Sequence, residues 1–281
     1  MAYLVPDRIF TVNGVKVHEY LLCKHNPNKI TLPPMRKKSL IAVTIHNTED
    51  LPRVEDDGEQ YTRATVNGNM RTVRTHFYVD DLCAWQNLEF ERCNWTCADG
   101  SGPGNMQTIA IECIMSGKDG NANLKARDNA ARLAAYILRK YGLTANDLRT
   151  HTYWLHVKDG KTGDADKLCT TPHTYKTCPY YIIPYWLEFK ELVNKYIVQL
   201  GGKSVDIAGK PIDGSFQVRV LDSALNIRSA PGTQAKVVGV IRDKGIYTIV
   251  GTTTVGLARW GKLKSGVGWI NIGEKYCEVL K

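Results

Sequence analysis

The chain has 281 residues, 43% of them apolar and 23% charged, with a formal net charge of +9. Such a composition belongs to soluble globular proteins, and the length suffices for two domains whose cores need no disulfide staples. The positive charge is uneven: the last 81 residues hold 12 Lys+Arg against 6 Asp+Glu, an excess that favours a polyanionic partner without choosing between nucleic acid and an anionic wall or membrane surface.

The start, MAYLVPDRIF, has neither the basic segment nor the apolar run of a signal peptide. No stretch of about 18 uninterrupted apolar residues exists, which excludes a transmembrane helix. Synthesis in the cytoplasm is expected, where the eight cysteines start out reduced. In chain order, LIAVTIHNT (40–48) contains a buried-strand run that ends in polar residues. RTHFYVD (74–80) and TIAIECI (108–114) read as two more strands. Residues 123–141 carry apolar side chains at helical spacing, with Asn123 as N-cap and Gly142 just past the end. A further helix fits 184–200, opened by Pro184. Strands mixed with helices, without strict alternation, predict an α/β domain around a central mixed sheet flanked by helices. Residues 201–214, rich in Gly and Lys and without periodicity, read as a linker. Beyond them, short β-type runs punctuated by Gly, Pro and Asp predict a small antiparallel barrel over 215–281.

Three side chains stand out for their chemistry: His46 at the end of a strand, His151 in RTHTYW and Cys178 in KTCP. Imidazole and thiolate are ligands that zinc prefers, and three protein ligands leave a fourth position open, the catalytic arrangement. Singly, each of them reads as an ordinary structural residue.

The segments VTIHNT (43–48), THFYVDD (75–81), AW (84–85), TIAIE (108–112), RTHTYW (149–154) and KTCP (176–179) occur in the order found in the type-2 zinc N-acetylmuramoyl-L-alanine amidases. Over its first 200 residues the chain thus resembles a family of phage endolysins, bacterial autolysins and peptidoglycan-recognition proteins. The resemblance implies that His46, His151 and Cys178 bind Zn²⁺. It implies Glu112, at the end of an apolar strand, as the general base, its pKa raised by apolar neighbours. It implies Lys176 as the cation facing the developing oxyanion. The chain departs from the family pattern at Thr75, where some members carry a tyrosine. It departs again in the spacing of His151 and Cys178, 27 positions apart here and closer together in simpler members. Residues 155–175 read as an inserted surface loop, with His173 and His156 as rival second ligands. Cys169, His173 and Cys178, or Cys83, Cys93, Cys97 and Cys113, could instead form a structural zinc site, although none has paired C-x-x-C spacing. His76 reads as a packed strand residue.

The segments ALNIRSAPG (224–232) and GWINI (268–272) resemble bacterial SH3 domains attached to wall hydrolases. Trp260, Trp269, Tyr247 and Tyr276 could line an aromatic groove there, or Trp269 and Ile270 could fill the barrel core. The expectation for the whole is a peptidoglycan hydrolase without nucleic acid as partner: an endolysin held in the cytoplasm until a holin opens the membrane. The alternative is a peptidoglycan-binding protein without catalysis, a class that usually lacks the cysteine ligand present here as Cys178.

Overall fold

A computed structural model describes residues 4–48, 57–116, 120–205, 207, 215–255, 258–273 and 275–280. It divides the chain into two compact units, Met1–Ala208 and Gly209–Lys281. Most of the expected linker, residues 206 and 208–214, lies outside the described residues. Val205 and Ile207, inside the same expected linker, pack against the core of the first unit.

The first unit is α/β. Its strands are β1 (Arg8–Val12), β2 (Val15–Glu19), β3 (Ala42–Asn47), β4 (Phe77–Val79), β5 (Ala84–Gln86), β6 (Thr108–Cys113) and β7 (Leu148–Thr150). Its helices are α1 (Asp57–Val66), α2 (Pro103–Met106), α3 (Gly120–Lys140), α4 (His151–Lys158), α5 (Ala165–Thr170) and α6 (Trp186–Gln199). The strands form one mixed sheet in the order β1-β2-β5-β4-β6-β3-β7, parallel from β4 through β7. The two sheet faces separate by residue parity, because successive side chains of a strand point to opposite faces. Val43, Ile45, Ile109, Ile111, Phe77 and Val79 join the main core with the alanine-rich face of α3. Ala42 packs on the other face with Cys97 and Trp154. Thr44 and His46 share its parity, as do Ala110 and Glu112 on β6.

Several expected boundaries move. Asn123 lies inside α3 rather than capping it; its amide bonds the backbone N–H and C=O of Ser116 instead. Gly142 does follow the helix, at φ +69°, with Gly142 N donating to Arg139 O and Leu143 N to Leu138 O. This is the paired closure that a left-handed residue permits. Pro184 sits in a single 3₁₀ turn, Ile183–Tyr185, ahead of α6. The hairpin β1–β2 turns on Asn13 and Gly14, both at positive φ, a turn that Asn-Gly favours. Residues 155–175 are not simply a surface loop: α4 runs into them and α5 lies within them. Asp166 on α5 accepts hydrogen bonds from Lys190 Nζ at 2.7 and 2.9 Å and from Trp186 Nε1 at 2.9 Å, and Cys169 is fully buried. The polarity that read as loop belongs to the exposed side of a helix packed on α6.

The second unit is all β: β8 (Phe216–Val220), β9 (Leu225–Arg228), β10 (Val237–Ile241), β11 (Ile246–Val255), β12 (Ala258–Leu263), β13 (Trp269–Asn271) and β14 (Cys277–Leu280). They make an antiparallel sheet in the order β10-β9-β13-β12-β11-β8-β14 around a core of their own. Strand β12 was not anticipated from sequence. Ile270 fills the core and Tyr247 and Tyr276 pack against it, whereas Trp269 does not join it. Among the described residues no helix is long and apolar enough to cross a membrane.

Candidate metal centre

His46 and Glu112 are direct neighbours in the parallel register of β3 and β6, and Tyr78 on β4 is the next neighbour of Glu112. Their side chains therefore share one face at the carboxyl ends of the strands, where ligands of open parallel sheets gather. His46 Nδ1 lies 3.9 Å from Glu112 Oε1 and 3.9 Å from Cys178 Sγ.

Sequence distance is bridged by one residue, Thr152. Its backbone N–H donates to Cys178 O at 3.0 Å. Its hydroxyl accepts from Cys178 N at 2.8 Å and donates to Cys178 O at 3.1 Å. The neighbouring His151 opens α4, whose N-cap Thr150 accepts from Tyr153 N at 3.0 Å. The clamp thus sets His151 and Cys178 side by side although they stand 27 positions apart in the sequence.

Ligand atoms of His46, His151 and Cys178 all lie within 4.8 Å of one another, and all three residues are buried. The His46 and His151 rings are 5.0 Å apart, centre to centre. His151 Nε2 is buried without a hydrogen-bond partner, while the ring bonds the Cys97 backbone through its other side. An orphaned imidazole nitrogen is costly unless something else claims it. A ring whose other nitrogen is already fixed is the usual form of a metal-binding histidine. Burial, then the Lys176 ammonium, brings the His151 pKa down to about 3, the Cys97 backbone pulling it back up. Burial, with His151 and Lys176, holds His46 well below its ordinary value. Both imidazoles are neutral at pH 7, as metal ligation requires. Two imidazoles and a thiolate suit zinc.

Burial pushes the Glu112 carboxyl up to about 7, with Lys176 pulling it back. Lys176 itself is exposed, and its charge reaches Glu112, His46 and His151 alike. Tyr78 lends its ring to the wall of the site, its hydroxyl 3.0 Å from Thr65 Oγ1. The rival histidines stand elsewhere. His173 Nε2 pairs with Asp159 at 2.9 Å, and His156 Nε2 meets Thr171 O at 3.0 Å. Among the described residues, neither joins a group of possible metal ligands. His76 is fully buried between Arg92 O at 3.0 Å and Ala110 N at 3.2 Å; it is packed as expected, but in a bend one residue before β4 rather than in the strand.

The sequence offers Cys97 only as one of four cysteines of a possible structural zinc site, and among the described residues those four form no group of possible metal ligands. The Cys97 Sγ lies 3.9 Å from His46 Nε2, and burial raises its pKa well above the ordinary thiol value. Only the folded loop 94–105 brings it there: Asn105 Oδ1 accepts from Cys97 N at 2.9 Å, and Asn94 donates to Gly104 O at 3.0 Å.

Residues 36–180 match the family described as N-acetylmuramoyl-L-alanine amidase. The N-acetylmuramoyl-L-alanine amidase XlyB of Bacillus subtilis (strain 168) is 26% identical over 198 residues, 69% of this chain and 54% of its own. The N-acetylmuramoyl-L-alanine amidase CwlA of a Bacillus species is 31% identical over 111 residues, 39% of this chain and 42% of its own. The chain thus spans about half the length of the curated relatives it matches. The solved structure of PlyL is 27% identical, covers 63% of this chain and 96% of its own, and superposes with a TM-score of 0.49.

Proposed function

The chain belongs to the N-acetylmuramoyl-L-alanine amidase family, and we propose that it is a zinc-dependent hydrolase cleaving the amide between N-acetylmuramic acid and L-alanine of bacterial peptidoglycan. The observation that supports this most is the buried meeting of His46, His151 and Cys178 beside Glu112, with His151 Nε2 left without a protein partner.

His46, His151 and Cys178 would hold the ion. Zinc, when bound, supplies Lewis acidity to the scissile carbonyl and to the attacking water. Glu112 does the proton work. A carboxyl with a pKa of about 7 is ionised often enough at neutral pH to accept the water's proton, and protonated often enough to pass it to the leaving amine. Lys176, on the exposed rim, presents an ammonium to the oxyanion. The buried floor under these groups keeps the local dielectric low, which strengthens that charge interaction.

The second unit is read as a bacterial SH3-like wall-binding module, on the strength of ALNIRSAPG and GWINI and its all-β sheet. The whole fits an endolysin-like enzyme acting on the bacterial wall. Metal analysis combined with mass spectrometry of digested walls tests the reading. It expects about one zinc per chain and new muramic acid and L-alanine ends. Walls left intact by zinc-loaded protein would assign the chain to non-catalytic wall binding instead.

A further inference from the structure

Cross-strand register in the second unit aligns three chemically distinct side chains. Lys262 on β12 is the direct neighbour of Trp269 on β13, and Trp269 is the direct neighbour of Arg228 on β9. Directly opposed residues of antiparallel strands share a sheet face. That face is the outer one, because the alternate residues Leu263, Ile270 and Leu225 all lie in the unit's core. Lys262 is exposed and Trp269 and Arg228 are half-buried, so the row is open to solvent. Among the described residues no ring stacks on Trp269. Arg228 uses one N–H on Ala235 O at 2.7 Å and keeps the rest of its fork for other acceptors. On the same face stands the exposed Asn226, opposite Val240.

The row thus consists of an indole platform with a cation on each side. Neighbouring strands are about 4.8 Å apart, so the backbone positions of Lys262 and Arg228 flank that of Trp269 at roughly 10 Å from one another. Residues 209–281 hold 11 Lys+Arg against 5 Asp+Glu, a net positive excess. A neutral glycan would stack on Trp269 and leave both cations unused. A stem peptide carries amines as well as carboxylates and gains little from a net positive surface. Single-stranded nucleic acid is usually held on several successive aromatics, whereas Tyr247 and Tyr276 pack against the core and Trp260 is only 2% exposed.

We propose that this outer face, centred on Trp269 between Lys262 and Arg228, binds a phosphodiester-linked anionic glycopolymer of the bacterial wall. One sugar or polyol unit stacks on the indole, and the phosphates on either side meet the two cations. The inference deepens the wall-binding reading of the second unit and rests on it.

The test is sedimentation of the full chain with two preparations of one wall, intact and chemically stripped of phosphodiester polymer, at several salt concentrations. Hydrolysis of a soluble muramyl peptide is measured in parallel. Binding should weaken about tenfold on stripped walls and about tenfold on intact walls for Lys262→Glu, a loss on the scale of one phosphate contact. Trp269→Ala should do the same, and purified polymer should compete. Lys262 is exposed, so its variant reports even if Trp269→Ala misfolds. Lys244→Glu makes the same charge change on another exposed residue and should bind within about twofold of wild type. Equal binding to both wall preparations overturns the proposal. So does an equal loss for Lys244→Glu, or better competition by a single-stranded oligonucleotide. Muramyl-peptide hydrolysis should be unaltered in all three variants. A chain that binds polymer yet cuts no peptide would refute the hydrolase reading and leave this one standing.

Discussion

His151 and Glu112 carry opposite demands at the same site. In the proposed mechanism His151 stays neutral to hold a metal, and its buried Nε2 has no hydrogen-bond partner. His151→Ala should therefore lose both zinc and hydrolysis, as should His46→Ala and Cys178→Ser. His173→Ala and His156→Ala should keep stoichiometric zinc and most of their rate, because both rings bond surface groups. A zinc-free His173→Ala with an active His151→Ala would overturn the ligand set. Glu112→Gln should retain zinc and lose nearly all activity, which separates the base from the ligands. The same variant has a stability signature. The folded carboxyl is raised from an ordinary value of 4.5 to about 7. Between those values the native state keeps a proton that the unfolded state has released, so stability falls as pH rises through that window. The deficit, about 3 kcal/mol in metal-stripped protein, is complete above pH 7. Glu112→Gln removes it, so its melting temperature should exceed wild type at pH 8 and match it at pH 4. A variant less stable than wild type at pH 8 would show that the carboxylate is held by groups beyond Lys176.

At the scale of elements, the site depends on how α4 is joined to the Cys178 segment. Thr152→Val keeps the side-chain shape and removes the hydroxyl that both accepts from Cys178 N and donates to Cys178 O. It should cost about 1–3 kcal/mol in urea denaturation, the penalty of a buried donor left unsatisfied. It should also weaken zinc binding about 10–100-fold, the usual effect of losing a group that orients a ligand. Unchanged zinc affinity would mean the backbone bond from Thr152 N suffices. The contact between α5 and α6 gives a second check, on whether residues 155–175 are a dispensable loop. Lys190 is 2% exposed and its ammonium is held by Asp166. Asp166→Ala leaves that charge buried and unpaired, a change that costs about 3–5 kcal/mol. A loss below about 0.5 kcal/mol, the scale of an ordinary surface substitution, would return the segment to the status of a loop.

For the molecule as a whole, the two compact units set the expected division of labour. Residues 1–208 should cleave soluble muramyl peptides yet lyse intact cells more slowly than the full chain. Residues 209–281 should sediment with walls and leave them undegraded. An isolated second unit that stays in the supernatant refutes the division. The cut matters: Val205 and Ile207 pack against the core of the first unit. A chain ending at residue 200 should therefore melt below one ending at 208. Each large apolar side chain returned to water costs about 1.5–3 kcal/mol when fully buried, and proportionately less here.

What the sequence determined by itself was local and periodic. The runs at 42–47 and 108–113 and the long amphipathic span of α3 follow from side-chain spacing, which survives without knowledge of the fold. The Asn13-Gly14 turn of the β1–β2 hairpin is an equally local signal. His46, Glu112, His151, Lys176 and Cys178 were visible as residue types in ordered segments. Their meeting was not, since the Thr152 clamp spans 26 residues to Cys178 and no window-based pattern reports such a bond. The same limit hid the place of Cys97, carried to His46 by an asparagine-braced loop. It also hid α5, which an ion pair with the buried Lys190 ties to α6. Periodicity says which face of an element is apolar. Only tertiary packing decides which two faces meet, because contacts distant in sequence are selected by the burial they share.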